Sequence, residues 1–138
     1  MIATFFDSNV ILYSTDRDER KAEIADALIG RGGWISVQVL NEIAHVARRK
    51  MQLDWDRVTD LIGTITGLTG VIDLTVELHN LGRRVAERYK FSIYDGMIVA
   101  AALIADCDTL YSEDMHDGLV IDGRLRIVNP FAPDALTG

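Results

Sequence analysis

The sequence contains few residues of several types, and each scarcity excludes a class of protein. Cys107 is the only cysteine among 138 residues, so a secreted domain held together by internal disulfides is excluded. The three histidines are scattered, unlike the closely spaced Cys and His ligands of a structural zinc site. Uncharged runs such as residues 96–105 are shorter than the ~20 residues of a membrane-spanning helix. The first residues lack the pattern of a signal peptide, so we expect a cytoplasmic protein without a membrane partner.

The composition is that of a single folded domain. Apolar residues make up 49% of the chain and charged residues 25%, with 11 glycines and 2 prolines, which excludes a disordered or collagen-like protein. A chain of about 150 residues buries roughly 68–70% of its extended surface on folding, which is enough for a self-sufficient core. Because the sequence contains no repeat and no linker, we expect one domain over residues 1–138.

Charge is distributed unevenly along the chain. The net charge of −7 by itself disfavours a nucleic-acid partner, since phosphate binding normally uses a basic surface. Residues 106–122 hold six acidic residues and no basic one. Two basic clusters are candidate phosphate contacts, namely Arg48, Arg49 and Lys50, and then Arg83, Arg84, Arg88 and Lys90. The asymmetry fits an acidic metal pocket with phosphate-binding rims or ordinary solvated helix ends, and charge alone does not decide between them.

Short apolar segments alternate with helical segments. Ser36, Asp54, Thr75 and Ser92 are predicted helix N-caps, because a hydroxyl or carboxylate at that position accepts an otherwise unpaired backbone N–H. Strands alternating with helices predict an α/β fold with helices on both faces of a mostly parallel sheet. The sheet is expected to have about five strands, over residues 2–6, 34–36, 71–74, 109–112 and 126–128. The helix after Ser92 is apolar on all sides and is therefore expected to be largely buried.

Two predicted strands lead directly into carboxylates. Asp7 follows the first strand, and Glu113 and Asp114 follow the strand over residues 109–112. In open α/β sheets, ligands bind at the carboxyl ends of the strands, although Asp also makes ordinary turns and helix caps there. The expected position of both carboxylates at one edge of the sheet favours a binding site.

Two further acids lie on predicted helices. Asp95 shares a helix face with apolar residues, where burying an uncompensated charge costs several kcal/mol. The helix dipole offsets only ~0.3–1 kcal/mol, up to about 2 in a buried geometry, so we expect a basic partner or a bound cation. Glu42 instead falls among Gln38, His45 and Arg49, and this periodicity predicts a solvated helix face.

A cluster of carboxylates is typical of metal-assisted phosphodiester hydrolysis. Mg²⁺ and Mn²⁺ prefer carboxylate and water oxygens, and they activate a bound water for attack on phosphorus. Other catalytic systems fit poorly. The sequence contains no Gly-x-Ser-x-Gly elbow, P-loop or Gly-x-Gly-x-x-Gly run, and Cys107 has no histidine nearby in sequence.

Four segments, in this order, resemble the PIN-domain family, and most closely the VapC-like toxins of bacterial toxin–antitoxin pairs. They are FDSNVIL (6–12), SVQVLNE (36–42), YDGMIVAAA (94–102) and LYSEDM (110–115). The resemblance covers nearly the whole chain and includes the closing LRIVNPF (125–131). It implies a Rossmann-like three-layer α/β/α domain and a ribonuclease that depends on Mg²⁺ or Mn²⁺. It also implies a homodimer and a small antitoxin.

The resemblance assigns roles to individual residues. Asp7, Glu42, Asp95 and Asp114 match the family's acidic quartet, and Asp7, Asp95 and Asp114 are the expected metal ligands. The accessory residues are Asp117, Ser8, Asn9 and Ser112. For Glu42 the resemblance contradicts the periodicity.

Two further expectations concern packing and the partner. Gly96 stands where the family commonly has alanine, and we expect looser packing there. We also expect the antitoxin to insert a basic side chain into the acidic pocket, since carboxylates without a metal repel one another.

Two alternatives remain open at the level of sequence. The first is a catalytically silent PIN fold that binds RNA or a protein without turnover; the presence of all four acids argues against it. The second is a phosphatase that uses Asp7 as its nucleophile. Haloacid-dehalogenase-like enzymes need a second aspartate two residues later, where this chain has Asn9.

Overall fold

The computed structural model describes residues 3–15 and 18–133. Its elements follow one another in this order: β1 (Thr4–Phe6), α1 (Ser8–Tyr13), α2 (Glu19–Gly30), β2 (Trp34–Ser36), α3 (Val37–Arg49), α4 (Trp55–Leu68), β3 (Gly70–Ile72), α5 (Val76–Tyr89), α6 (Ile93–Ile104), β4 (Thr109–Tyr111), β5 (Val120–Ile121) and β6 (Leu125–Val128). Strands and helices alternate as far as β4, which confirms the α/β class expected from the sequence.

The strands form one sheet in the order β3-β2-β1-β4-β6-β5. All neighbouring pairs are parallel except β5 and β6, which form an antiparallel pair at one edge. The chain moves from β1 to β2 and β3 in one direction, and then returns past β1 to reach β4. The strand order therefore reverses beside β1, and the carboxyl ends of β1 and β4 flank the crevice where ligands bind in such sheets.

The helices form two groups. In the first group, α1 contacts α2 and α3, and α3 contacts α4; in the second, α5 packs along α6. Because crossovers between parallel strands are right-handed, connections that run in opposite directions across a sheet lie on opposite faces. The result is the three-layer α/β/α arrangement expected from the sequence.

The core lies between the sheet and these helices. Phe5, Leu110 and Ile127 on three adjacent strands are fully buried, and each such side chain stabilises the fold by roughly 1.5–3 kcal/mol. Residues 98–103 of α6 are all buried, as the apolar sequence of this helix predicts. In the described part of the chain, no helix is both long enough and apolar enough to cross a membrane.

The four predicted N-caps are confirmed. The Oγ of Ser36, the carboxylate of Asp54, the Oγ1 of Thr75 and the Oγ of Ser92 each accept a backbone N–H three residues ahead. These caps fix where α3 to α6 begin, and the starts of α3 and α6 in turn position Glu42 and Asp95.

The strand predictions need two corrections. The sheet has six strands rather than about five, because the two-residue β5 pairs with β6 and was too short to give a sequence signal. The third strand covers Gly70–Ile72 rather than 71–74, since the chain leaves the sheet before Asp73. Ile2, which the sequence places in the first strand, lies outside the described residues.

The expectation of loose packing at Gly96 is wrong. A Cβ at Gly96 would lie 2.9 Å from the Cβ of Ala86 and closer still to the carbonyl oxygen of Gly82. The missing side chain therefore allows α5 and α6 to approach each other more closely than an alanine would permit.

Candidate active site

Four acidic side chains converge at the carboxyl ends of the central strands, and we call them the acid cluster: Asp7, Glu42, Asp95 and Asp114. Asp7 directly follows β1, and Asp114 lies in the loop after β4. Glu42 is on α3, which begins at the end of β2, and Asp95 lies in the first turn of α6. The charges of Glu42 and Asp95 act on Asp7, and those of Glu42 and Asp114 act on Asp95, so all four share one electrostatic environment.

Asp7 is the most deeply buried member of the acid cluster, with 7% of its surface exposed. Its carboxylate caps α1 by accepting the Ser8 backbone N–H at 2.8 Å, and it also accepts the Ser112 Oγ–H at 2.8 Å. The pKa of Asp7 is raised from 3.8 to about 6, chiefly because burial disfavours the charged carboxylate. The hydrogen bonds from Ser112 and Ser8 lower this pKa in part, and the charges of Glu42 and Asp95 raise it. The hydrogen bonds hold the carboxylate in one orientation.

Glu42 lies inside the cluster, so the prediction of a solvated face from its periodicity is wrong. Its carboxylate accepts the Ser8 Oγ–H at 2.6 Å and the Gln38 side-chain N–H at 3.1 Å. Gln38, one turn earlier on α3, also donates to the backbone oxygen of Tyr94 at 3.1 Å. At Gln38 and Glu42, the polar side of α3 therefore contacts polar groups of α1 and α6, and the local sequence pattern does not reveal this tertiary contact.

Asp95 is half-buried near the start of α6. Burial is the main cause that raises its pKa, followed by the charges of Glu42 and Asp114. Its own backbone N–H is already bonded to the Ser92 Oγ. The pKa is raised although the carboxylate lies at a helix N-terminus, as expected if the dipole does not fully compensate the charge.

Asn9 connects α1 to the loop that carries Asp114. Its amide donates to Asp114 Oδ2 at 3.2 Å, and its amide oxygen accepts the Glu113 backbone N–H, also at 3.2 Å. The expected accessory residues Ser8, Asn9 and Ser112 therefore all contact members of the acid cluster or the loop beside it. Asp117 is engaged elsewhere, where its carboxylate accepts the Asn129 backbone N–H at 2.9 Å.

A second polar network, which was not predicted from the sequence, anchors the same loop. Lys21 on α2 forms an ion pair with Glu113 at 2.8 Å, and the Tyr13 hydroxyl donates to the same carboxylate. The Lys21 ammonium also lies 4.4 Å from the centre of the Tyr13 ring. These contacts join residues about 100 positions apart in sequence, and no local motif indicates them.

The predicted basic residues lie outside the acid cluster. Arg48 lies over the ring of Trp55 at 4.6 Å, and Arg83 donates to Asn80 at 2.9 Å. The remaining predicted phosphate contacts are also exposed, and they are Arg49, Lys50, Arg84, Arg88 and Lys90.

A groove of about 560 Å³ adjoins the acid cluster, and we call it the Tyr94 groove. Ser8, Gln38 and Glu42 form its end beside the acids. The rest of its lining is mostly apolar and comes from α3, α6 and the segment before α5, with Asn41, His45, Val46, Leu74, Tyr94 and Met97.

The donor set of the acid cluster fits a hard divalent cation. Its four side chains offer carboxylate oxygens, and the side chains bonded to them add hydroxyl and amide oxygens, which are the ligands that Mg²⁺ and Mn²⁺ prefer. Within residues 3–15 and 18–133, no three His, Cys, Asp or Glu side chains already lie in an arrangement ready to hold a metal ion. Mg²⁺ is usually bound by one or two carboxylates, with water and substrate phosphate as the other ligands, so the cluster fits it without a complete protein cage.

Solved structures with the same fold cover nearly the whole chain. A toxin–antitoxin complex from Klebsiella pneumoniae matches with a TM-score of 0.71 and 18% identity over 94% of this chain and 98% of the other. DNA-bound VapBC from Salmonella typhimurium matches with a TM-score of 0.67 and 19% identity over 94% and 99%. The sarcin–ricin-loop cleaving toxin VapC20 from Mycobacterium tuberculosis matches with a TM-score of 0.63 and 15% identity over 78% and 87%.

The sequence itself also matches a family model. A search of curated proteins found no match. The model of the PIN domain matches residues 4–116, which include all four members of the acid cluster. The chain therefore belongs to the PIN-domain family.

Proposed function

We propose that this PIN domain is a metal-dependent endoribonuclease and the toxin of a toxin–antitoxin pair. The observation that carries the proposal is the convergence of Asp7, Glu42, Asp95 and Asp114 at the point where the strand order reverses. A buried carboxylate with a raised pKa beside other acids, in a crevice, is typical of a functional site. The similar structures include toxin–antitoxin complexes and a toxin that cleaves the sarcin–ricin loop, which supports a nuclease toxin.

The proposed chemistry divides the work among the side chains. Asp7, Asp95 and Asp114 would hold Mg²⁺ or Mn²⁺, which supplies a nucleophilic water at neutral pH and neutralises charge on the phosphate. Ser112 holds the Asp7 carboxylate in place, and Ser8 and Gln38 do the same for Glu42. Asn9 restrains Asp114. Both oxygens of Asp7 already accept hydrogen bonds, so this carboxylate is held in one orientation. The four acids are positioned by the ends of β1 and β4 and by helices α3 and α6.

Cleavage of RNA by the purified protein tests the proposal. We expect cleavage with Mg²⁺ or Mn²⁺ and none after chelation. Asp7→Asn and Asp95→Asn each remove one ligand charge with little change of shape, and we expect a loss of more than about a hundredfold in rate. Asp60→Asn on the exposed side of α4 is the matched control, and we expect its rate to equal that of the wild type. Equal rates in all three variants would refute the site, and RNA binding without cleavage would favour a binding module.

The acid cluster also supports a basic partner. The charges of neighbouring acids raise the pKa of Asp7 and of Asp95. An inserted Arg or Lys would relieve this repulsion and would at the same time block the metal position. We therefore propose that a small antitoxin inhibits the chain with such a side chain. In a complex with the antitoxin, replacing that residue by Ala should restore cleavage, and a complex with an open, metal-filled pocket would contradict the proposal.

We also propose that the chain forms a homodimer. Large apolar side chains stay exposed at several places in the described ranges, including Leu68, Leu74, Val76, Ile104 and Val120. The buried residues 98–103 of α6 are used for the core, so they are not available for this contact. Light scattering on the purified protein should give twice the 15.3 kDa chain mass, and a mass of one chain would refute the dimer.

A further inference from the structure

The Tyr94 groove opens directly into the acid cluster. Ser8 and Glu42 line the groove and are hydrogen-bonded to each other. The charge of Glu42 also interacts electrostatically with Asp7, which places the groove beside the acid cluster. A molecule in the groove therefore lies next to any phosphate held at the cluster. Its volume of about 560 Å³ is within the range of roughly 300–1,000 Å³ that is typical of small-molecule sites.

The lining suits a flat aromatic ring with polar edges. Val46, Leu74 and Met97 provide apolar walls, and Tyr94, which is 69% exposed, adds an aromatic ring to the lining. Unpaired RNA bases bind proteins by stacking on aromatic rings while amide side chains pair with their edges.

Two amides in the groove are available to read such an edge. Asn41 makes no side-chain hydrogen bond among the described residues. Gln38 uses its amide N–H groups on Glu42 and Tyr94, and this leaves its amide oxygen as an acceptor. An apolar side chain from a protein partner would fill the walls of the groove but leave these amides without partners, which costs free energy.

A cation lies on the same side of α3 beyond the groove. Glu42, His45 and Arg49 are spaced three and four residues apart, so they lie along one helix face. Arg49 is two turns from Glu42, a rise of roughly 10 Å. The order along this face is acid cluster, groove and arginine, which matches a phosphate, a base and a second phosphate of one strand.

We propose that the Tyr94 groove binds the base of an unpaired nucleotide adjacent to the scissile phosphate, and that Tyr94 and Asn41 select which base it accepts. This inference rests on the proposed ribonuclease function. It adds a specificity determinant beside the metal site. Tyr94 stacks on the base, Asn41 pairs with its edge, and Arg49 contacts the next phosphate.

The test uses single-stranded RNA oligonucleotides of randomised sequence, with Mg²⁺, and sequencing of the cleavage ends. For the wild type we expect a base preference at one fixed position next to the cut. Tyr94→Ala should reduce this preference and raise KM about tenfold, because stacking is lost, whereas Tyr94→Phe should retain both. Asn41→Ala should alter which base is preferred with less effect on KM. Thr59→Ala, at an exposed position of α4 outside the lining of the groove, is the control and should leave the preference unchanged.

A second readout separates failure of the subsite from failure of the nuclease. RNA carrying 2-aminopurine should lose fluorescence when it binds Asp7→Asn, and adding Tyr94→Ala should abolish the quenching. Wild-type cleavage with an unchanged preference in Tyr94→Ala and Asn41→Ala would overturn the subsite and leave the nuclease standing. If these variants instead weaken only inhibition by the antitoxin, the groove binds protein and the proposal is wrong. If the wild type cleaves none of the RNA pool, the nuclease fails, and the subsite fails with it.

Discussion

At the scale of single residues, ionisation of Asp7 costs the folded chain free energy. Its folded pKa is about 6, whereas 3.8 is the ordinary value for the unfolded chain. The folded state therefore holds its proton more tightly than the unfolded state does, so stability falls as the pH rises from about 4 to about 6. Above that window the full cost remains, and below it the cost is absent. A bound cation or an inserted basic side chain would remove this cost. The unfavourable ionisation of Asp7 is therefore what a site for such a ligand would show in its absence.

Asp7→Asn should therefore stabilise the protein while abolishing cleavage. Asparagine keeps the shape of the side chain, and its amide oxygen can still accept the Ser8 backbone N–H. At pH 7.5 without metal, we expect a gain of up to about 3 kcal/mol in unfolding free energy, from ~1.4 kcal/mol per pKa unit. Urea denaturation in a chelator at pH 4 and pH 7.5 measures the gain. The exposed Asp60→Asn should show no such change with pH, and an equal gain for Asp7→Asn at both pH values would disprove the ionisation argument.

The site residues differ in how well their positions could be predicted from the sequence. Asp7 and Asp95 could be found from local patterns, because each is an acid at a strand end or on an apolar helix face. The role of Glu42 depended on the family resemblance, because helical periodicity reports the average polarity of a face and not what covers it. The network of Lys21, Tyr13 and Glu113 could not be predicted, because it joins distant segments and each residue is ordinary in its own context.

At the scale of elements, the helix starts were predictable and the sheet edge was not. Caps such as Thr75 and Ser92 combine a polar residue with a following helical pattern, and both signals are local. The β5 strand has two residues and exists through its pairing with β6. At Gly96 the local signal is the low helix propensity of glycine, and it predicts loose packing. This prediction is wrong because the close contact with α5 determines the packing there.

Gly96→Ala should destabilise the protein even though alanine is the better helix former. The added Cβ would collide with Gly82 and Ala86 on α5, and forcing extra atoms into such a contact costs roughly 1–3 kcal/mol. The gain in helix propensity, up to about 1 kcal/mol, does not offset the larger values in that range.

Gly63→Ala is the matched control for the same helix preference. Gly63 is exposed on α4, and a Cβ there has nothing within 4 Å, so we expect a gain of about 0.5–1 kcal/mol. Urea denaturation of both variants gives the comparison. Stabilisation by Gly96→Ala as large as by Gly63→Ala would show that α5 and α6 are not in close contact at this point.

At the scale of the whole molecule, the fold concentrates negative charge at one crevice. The chain carries a net charge of −7, and a connection pattern that reverses beside β1 brings together acids from residues 7, 42, 95 and 114. The free energy for holding these acids together comes from the apolar core below the site, where Phe5 and Phe6 of β1 and Leu110 of β4 are fully buried. The acids of the site thus destabilise the fold by repelling one another, and the core offsets this cost. A ligand that neutralises the acids should therefore stabilise the fold.

Mg²⁺ should therefore stabilise the wild type against unfolding, even in the absence of RNA. A ligand that binds only the folded state adds about 2.7 kcal/mol at a hundredfold excess over its Kd. We expect the unfolding midpoint at pH 7.5 to rise with Mg²⁺ or Mn²⁺ and to respond much less in Asp7→Asn and Asp95→Asn, which have lost a ligand charge. The gain should also shrink as the pH falls below about 6, because a proton on Asp7 competes with the cation. NaCl at equal ionic strength is the control, since it screens all surface charges alike. An identical rise with NaCl, or in the two variants, would mean that the acids respond to screening and hold no specific cation, and the metal-dependent mechanism would then fail.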